Sequence, residues 1–374
     1  MDLFLTLFLL FFVPFLLKIS EKTALVSIIS PIALAYASGI LLSYTAVPIH
    51  TAILKQITEI SIAISISLLV LGSNLDKFRI LLKPLLKSFF LSILSLFIAV
   101  FLTYFLLSFR DETSANIMGM LVGVYVGGTP NLNAIGMALE VSNETLILVN
   151  TAEIALGGIY FLLLITVIKP LFSLWLPKYD LGKLSIKKEK EVEQNNPLSI
   201  KIKMIFFGLF AAILILGFSF GLVFLLFGHL NIPAFLISLT TLSIIGAQFS
   251  GIKNISYKFE TADFLLLIFS FGIGLQIDLN ALLTHGLEIY LLVGAVFIGT
   301  ILIHFLLAWI TKTDVDTLMI SSTAALYGPA FIVPIAKAIN NRELTVYGIA
   351  LGLLGYILGN YLGLGMAWLL HIIG

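Results

Sequence analysis

The stretch Gly123-Val-Tyr-Val-Gly-Gly-Thr-Pro-Asn-Leu-Asn-Ala134 decides how the fold of this chain is interpreted. It lies in an apolar run from about residue 117 to residue 139, which is long enough to cross a bilayer. Pro130 lacks an amide N–H and the two preceding glycines relax the backbone, so we expect the helix to break here. Freed backbone groups at membrane depth are tolerated only inside protein or beside a water-filled cavity. The alternative is a kinked packing helix, because glycine and proline are common in membrane helices.

The composition is that of a membrane protein. The 374 residues are 60% hydrophobic and 11% charged, whereas a soluble domain has about 25% charged residues. A net charge of +1 argues against nucleic-acid binding, and the absence of cysteine excludes disulfides and thiolate chemistry. No basic region precedes the apolar run 3–17, so we interpret it as a first membrane helix and not as a cleavable signal peptide. We expect a multi-pass protein in the lipid bilayer of the cell's inner (cytoplasmic) membrane.

Twelve apolar segments are candidates for membrane helices, so the predicted fold class is all-α and polytopic. They cover residues 3–17, 24–44, 57–73, 84–109, 114–139, 144–169, 203–228, 232–248, 260–277, 286–310, 315–339 and 344–372. A hydrophilic stretch, 177–202, divides the chain into a first transmembrane repeat (1–176) and a second one (203–374). We interpret this stretch as a solvated linker without chemistry of its own.

The two halves carry the same sequence features in the same order. The pairs that lie 202 residues apart are Pro31 and Pro233, Gly72 and Gly274, and Asp76 and Asp278. The Gly-Thr-Pro of the first break, which ends at Pro130, recurs as Tyr-Gly-Pro ending at Pro329. Two homologous halves with one interrupted helix each are typical of secondary transporters, whose substrate and ion sites lie at such interruptions.

The direction of the repeat is left open by the sequence. Transporter repeats of this kind are often inverted, which requires an odd number of crossings between equivalent points. The twelve segments place six crossings between Gly72 and Gly274, which would make the halves parallel. They also place three crossings between the basic cluster at 77–87 and the basic linker, although both should be cytoplasmic. Either one segment is miscounted or an interrupted segment does not cross simply.

The backbone at the two breaks offers a binding site for a small organic solute. A half-helix that begins after each proline presents free N–H groups and the positive end of a helix dipole, which favour an anionic group such as a carboxylate. The alternative for the hydroxyl groups is a bond to the carbonyl four residues earlier in the same helix. The candidate substrate-binding residues are Gly127, Gly128, Thr129, Asn131 and Asn133 at the first break and Thr323, Tyr327 and Gly328 at the second.

Glu153 lies well inside an apolar segment. An ionised carboxylate at the centre of a bilayer costs about 2.5–3.5 kcal/mol, so it should face the protein interior and have a partner. We expect it to bind a coupling cation or to carry a proton; the alternative is a structural hydrogen bond to the backbone of a broken helix. The candidate sodium ligands are Glu153, Asn150, Asn133, Thr129 and Gln276, and no other cofactor is expected.

Other polar or small residues have a structural explanation that is at least as strong. Asp76 and Asp278 lie at matching helix ends, where they either cap the next helix or act near the interface. The glycines of 355–365 are expected to permit close helix packing. Lys337 and Arg342 are expected to extend to the membrane interface more readily than to bind solute.

Three ordered motifs resemble a known family. They are YVGGTPNLNAIGMAL from Tyr125, FGIGLQIDLNAL from Phe271 and GYILGNYLG from Gly355, and they look like the bacterial integral-membrane proteins catalogued as domain of unknown function 819. The resemblance covers nearly the whole chain. In two places this chain departs from the family pattern: Tyr327 stands where a glycine is usual, and Glu153 stands where an aspartate is usual.

A more distant similarity links residues 127–131, Gly-Gly-Thr-Pro-Asn, to a motif of sodium-coupled bile-acid transporters, and the halves are distantly similar to cation/proton antiporters. This similarity implies a core domain with two crossed broken helices that moves against a panel domain. It also implies sodium near the crossover. It does not identify a solute.

These observations predict a secondary active transporter of a small, anionic organic solute, coupled to sodium or protons. The alternative is a sodium/proton antiporter without an organic substrate, which a single deep acid supports less well. No Walker or metalloprotease motif is present, so we expect neither ATP-driven transport within this chain nor an enzyme. The expected partners are lipid, the solute and the coupling ion, and a homodimer is compatible with the sequence.

Overall fold

The computed structural model describes residues 2–20, 31–45, 47–71, 78–106, 111–179, 197–249, 257–276 and 287–373. Every regular element in these ranges is helical. The helices are α1 (Asp2–Ser20), α2 (Pro31–Ser43), α3 (Thr51–Leu71), α4 (Phe78–Leu106), α5 (Glu112–Gly127), α6 (Thr129–Ala138), α7 (Asn143–Leu163), α8 (Leu198–Phe227), α9 (Ile232–Gly246), α10 (Lys258–Leu275), α11 (Leu287–Ile310), α12 (Val315–Tyr327), α13 (Ile332–Ala338) and α14 (Thr345–Ile373). A π-helical turn (Leu164–Ile168) and a last α-helical turn (Lys169–Phe172) extend α7, and 3-10 turns precede α13 (Pro329–Phe331) and α14 (Arg342–Leu344).

Seven helices of the described residues are long and apolar enough to cross a membrane. They are α1, α3, α4, the extended α7, α8, α11 and α14. Their outer faces are apolar too: Phe206, Phe218 and Leu225 on α8 are all more than half exposed, as expected of side chains that meet lipid. The prediction of an all-helical membrane protein is therefore confirmed, whereas the number of crossings stays a prediction.

The segment that contains the first break does not continue as one interrupted helix. α5 and α6 are separated by a single residue, Gly128. A β-carbon added to Gly123 would lie only 3.4 Å from the carbonyl oxygen of Asn131, whereas eight residues along a straight helix span about 12 Å. α6 therefore folds back along α5, and the prediction of one crossing over 114–139 is wrong. We call the unit from residue 111 to residue 141 the first hairpin.

The second break has the same geometry. Gly328 separates α12 from the turn that precedes α13. The side-chain amide of Asn341 donates to Oδ2 of Asp316 at 2.9 Å, so the chain after α13 lies beside the start of α12. The prediction of one crossing over 315–339 is wrong for the same reason. We call the unit from residue 314 to residue 341 the second hairpin.

Equivalent helices of the two halves pack against each other in antiparallel order. In the pair α3 and α10, Ser65 Oγ donates to the carbonyl of Ala262 at 3.3 Å, and Lys258 Nζ donates to the carbonyl of Leu71 at 3.3 Å. Residue numbers increase along α3 where they decrease along α10, so the two helices are antiparallel. The halves also exchange neighbours, because α2 packs on α10 while its equivalent α9 packs on α3.

Some predicted positions lie outside the described residues. These are Asp76, Asp278 and residues 180–196 of the linker. What the sequence predicts for them, including the division of the chain into two repeats and a linker, stays a prediction.

Candidate functional site

The tips of the two hairpins meet inside the protein. Gly128 and Gly328 have φ angles of 85° and 74°, in the left-handed region that favours glycine. A β-carbon added to Gly128 would lie 3.5 Å from the carbonyl oxygen of Tyr327, and one added to Gly328 would lie 3.3 Å from the ring of Tyr356. The two predicted breaks are therefore brought into contact, and the positive φ angles favour glycine at both tips.

The first hairpin lies on α14 through two facing rows of glycines. The rows are Gly119, Gly123 and Gly127 on α5, and Gly363, Gly359 and Gly355 on α14. A β-carbon added to Gly127 would lie 2.5 Å from the carbonyl oxygen of Gly355, so the two helices pack backbone against backbone. The close packing predicted for 355–365 is confirmed for these three glycines, whereas Gly365 has no neighbour within 4 Å of such a β-carbon.

Asn131 ties the tip of the first hairpin to α14. Its side chain is 2% exposed, and Nδ2 donates to the carbonyl of Tyr356 at 2.9 Å. Within the described residues, its Oδ1 has no hydrogen-bond partner. Asn131 therefore has one structural bond and keeps one buried acceptor free.

Three of the predicted sodium ligands form a chain of hydrogen bonds from the first hairpin to α7. Asn133 Nδ2 donates to the carbonyl of Thr129 at 3.1 Å, and Asn133 Oδ1 accepts from Asn150 Nδ2 at 3.0 Å. Asn150 also donates to the carbonyl of Leu146 at 2.8 Å. The side chains of Asn133 and Asn150 therefore bind each other, and their role as sodium ligands stays a prediction.

Glu153 follows Asn150 on α7 and is 6% exposed. Among the described residues, none forms a hydrogen bond or an ion pair with its carboxylate. A β-carbon added to Gly157 would lie 3.5 Å from Glu153 Oε1 and 3.3 Å from the ring of Tyr327. The carboxylate and the ring thus lie on the same side of α7, no further apart than the sum of these two distances. Tyr327 Oη donates to the carbonyl of Gly157 at 2.7 Å, which holds the ring there.

The Tyr327 ring continues into a row of aromatic rings, Tyr160, Phe297 and Tyr125, which the sequence analysis did not identify as site residues. The ring centroid of Tyr160 is 6.4 Å from that of Tyr327 and 5.6 Å from that of Phe297, and Tyr125 is 5.3 Å from Phe297. Tyr125 and Tyr327 are near enough to Glu153 to interact with it electrostatically. In the described part of the chain, Tyr125 Oη has no hydrogen-bond partner. Tyr160 could have been found from its spacing, because it lies seven residues after Glu153 on the same helix face.

Two predicted site residues bind elsewhere. Thr323 Oγ1 donates to the carbonyl of Met319 at 2.7 Å, which is the structural alternative for a helical threonine. Gln276 is exposed at the end of α10, and its amide donates to the carbonyl of Gly272 at 3.0 Å. No hydrogen bond between described residues joins Gln276 to Glu153. The described residues also contain no group of three or more His, Asp or Glu side chains that could hold a metal ion.

Ion pairs lie at the base of the second hairpin. Oδ2 of Asp263 on α10 is 3.2 Å from Lys337 Nζ and 2.6 Å from a guanidinium nitrogen of Arg342. Lys169, at the end of the extended α7, pairs with Asp316 at 2.8 Å. Lys337 and Arg342 therefore have structural partners within the protein and do not reach the hairpin tips.

These features define a helical integral membrane protein with two fold-back hairpins that meet at a buried carboxylate. The chain matches the model of the family described as "Protein of unknown function (DUF819)" over residues 7–373, and it belongs to this family, as its motifs indicated. It is also similar to the uncharacterized membrane protein YjcL of Bacillus subtilis (strain 168), with 23% identity over 332 residues, 84% of this chain and 83% of that protein. The hairpins differ from the crossed broken helices that the similarity to bile-acid transporters implied.

Proposed function

We propose that this protein is a secondary active transporter of a small organic solute, coupled to sodium ions or protons through Glu153. The observation that carries the proposal is the contact of two hairpin tips, at Gly128 and Gly328, beside a carboxylate that has no partner among the described residues. Irregular backbone at membrane depth forms the solute and ion sites of many transporters. An ionisable residue buried in such a setting is by default a candidate for function. The proposal includes no enzymatic activity.

In this proposal the two repeats are inverted. A hairpin that enters and leaves on one side adds no crossing, so five crossings, an odd number, separate Gly72 from Gly274. The antiparallel packing of α3 on α10 supports this arrangement, because an inverted repeat reverses the direction of each equivalent helix. The same correction places two crossings between the basic cluster at 77–87 and the linker, so both lie on one side.

The distribution of positive charge supports this topology and gives it a direction. In this topology, the lysines and arginines of the described residues share one side of the membrane, with the exception of Lys55. Each lies on that side or in the half of the membrane next to it. They are Lys18, Arg79, Lys83, Lys87, Lys169, Lys178, Lys201, Lys203, Lys258, Lys312, Lys337 and Arg342. By the positive-inside rule this side is cytoplasmic. The first hairpin then enters the membrane from outside the cell and the second from the cytoplasm.

Cysteine labelling tests this topology, because the chain contains no cysteine of its own. Thr113→Cys lies at the exposed base of the first hairpin, and Lys178→Cys lies in an exposed, non-helical segment beside the base of the second. A membrane-impermeant maleimide should label only Thr113→Cys in intact cells and only Lys178→Cys in inside-out vesicles. Labelling of both from one side would refute the inverted topology.

A sodium/proton antiporter without an organic solute is the second candidate. The observation in its favour is the chain of hydrogen bonds from the carbonyl of Thr129 through the side chains of Asn133 and Asn150, which ends one turn from Glu153. Such oxygen atoms suit a hard cation such as sodium. The sodium site and the homodimer stay predictions.

The coupling role of Glu153 is tested by the melting temperature of the detergent-purified protein in sodium chloride and in caesium chloride, from mildly acidic to mildly alkaline pH. A ligand that binds only the folded state raises the melting temperature by mass action. We expect a sodium-dependent or pH-dependent shift that is lost in Glu153→Gln and kept in Glu144→Gln, which changes an exposed carboxylate on the same helix. Identical curves for the wild type and Glu153→Gln under all conditions would refute the coupling role.

A further inference from the structure

We propose that the transported solute carries a positive charge, and that this organic ammonium group binds between the carboxylate of Glu153 and the rings of Tyr125, Tyr160 and Tyr327. The inference rests on the function proposed above and names the chemical class of its solute. It replaces the anionic solute that the sequence favoured.

Charge is the first reason. The other buried carboxylates of the described residues, Asp263 and Asp316, have basic partners at 2.6–3.2 Å. Glu153 has no such partner there, and the described lysines and arginines lie toward the helix ends. A buried carboxylate without a counter-charge is unfavourable, so a cation supplied from solution would stabilise this region. An anion would be repelled by it.

The aromatic rings are the second reason. An ammonium group within about 6 Å of a ring centroid is attracted by the negative face of the ring, and the attraction is larger where water is excluded. Tyr327 is held in place by its bond to the carbonyl of Gly157, and it stacks with Tyr160 at 6.4 Å. The buried Tyr125 Oη, which has no partner in the described residues, provides an oxygen that can accept from an N–H group.

The start of α6 is the third reason, because it offers little to an anion. Pro130 has no N–H, and the N–H of Asn131 donates to the carbonyl of Gly128 at 3.0 Å. Of these three residues at the start of α6, Thr129 has an N–H group that could bind a ligand. In the second hairpin, Pro329 directly follows Gly328 and begins a single 3-10 turn, so it too removes an N–H at the tip.

The experiment compares three probes of the same shape on the full-length protein in detergent: choline, its neutral carbon isostere dimethylbutanol, and the anion dimethylbutanoate. We expect choline alone to raise the melting temperature in a saturable way. Glu153→Gln should weaken choline binding at least about tenfold, and Tyr327→Leu by roughly tenfold. Tyr327→Phe, which keeps the ring, should bind within about threefold of the wild type. Glu144→Gln should be unchanged.

Three outcomes would overturn the inference: stabilisation by the anion, equal stabilisation by choline and dimethylbutanol, or no stabilisation by any probe. None of these outcomes tests the proposed transport function, which is tested separately by the sodium and pH response that depends on Glu153. Glu153→Asp keeps the charge and serves where Glu153→Gln does not fold. Glu153→Asp should still bind choline, and it should not bind the neutral isostere dimethylbutanol.

Discussion

The first hairpin is held on α14 by backbone contacts between glycines, whereas the second hairpin is held at its base by ion pairs to α10 and to the end of α7. In the first, Gly127 and Gly355 approach so closely that a β-carbon would lie 2.5 Å from the facing carbonyl. In the second, Asp263 contacts both Lys337 and Arg342. When the tip glycines Gly128 and Gly328 are aligned, the positions of the α5 glycines are occupied in α12 by Met319, Thr323 and Tyr327.

This difference affects how each hairpin can separate from the helices that hold it. Close packing of glycine rows depends on shape and persists in a medium without water. The ion pairs join groups that water can hydrate, but Asp263 is buried, so the base separates only where water or another charged group replaces the pair. In the proposed transporter, release of the second hairpin therefore depends on charge, whereas the first hairpin is held by shape.

The largest effect is expected from Asp263→Asn. It removes the shared partner of Lys337 and Arg342, and truncating one member of a buried ion pair costs about 3–5 kcal/mol. The melting temperature in detergent measures the loss of stability. Glu260→Gln on the same helix is the control, because its pair with Lys201 is about 40% exposed or more at both ends and should contribute less than about 1 kcal/mol. Equal shifts in the two variants would show that the base is not held by charge.

A smaller loss is expected from Gly355→Ala. The added methyl group would meet the carbonyl oxygen of Val126 and the Cα of Gly127, and overpacking of this kind costs about 1–3 kcal/mol. The same substitution at Gly365, where a β-carbon has no neighbour within 4 Å, is the matched control. If both variants melt together with the wild type, the glycine row does not hold the first hairpin.

The sequence predicted the position of the breaks because Gly-Pro chemistry is local. Gly128 and Gly328 end their helices as expected. The same glycines and prolines permit both a kinked crossing and a complete reversal of the chain. The contact that distinguishes the two joins Gly123 to Asn131, and no local sequence pattern indicates it. In the proposed topology, the crossing count and the charge distribution agree because the first break is no longer counted as a crossing.

The candidate site was predicted unevenly for a similar reason. Asn133 and Asn150 meet, as residues of one polar type at neighbouring depths can be expected to do. Gln276 was included as a polar residue on the approach to the break, but it is exposed at the end of α10, and its position along the chain did not show this. Tyr125, Tyr160, Phe297 and Tyr327 come from four different helices, so their contacts depend on tertiary packing.

The smallest effect is expected at the two equivalent capping aspartates, whose pKa values move in opposite directions. Asp111 accepts from Ser114 N at 2.9 Å at the start of the first hairpin, and its hydrogen bonds to Ser114 lower the pKa of its carboxyl group. Asp314 accepts from Thr317 N at 2.9 Å at the start of the second, and burial raises its pKa. The charge of Asp111 therefore stabilises the fold above the usual aspartate pKa, and this contribution is lost as the pH falls through the lowered value.

The sign for Asp314 is the reverse. Its folded-state pKa lies above the unfolded value, so its charge is unfavourable at neutral pH, and that cost disappears as the pH falls through the raised value. At neutral pH, Asp111→Asn should lower the melting temperature slightly and Asp314→Asn should leave it unchanged or raise it, each within about 0.5 kcal/mol of stability. On acidification, the melting temperature of each variant should approach that of the wild type. For Asp314→Asn this should occur at a higher pH than for Asp111→Asn. Because asparagine is also a good N-cap, these variants change charge and keep the cap. Equal shifts of the same sign would show that the two hairpins begin in equivalent electrostatic surroundings, and the contrast between them would then be confined to the glycine row and the ion pairs.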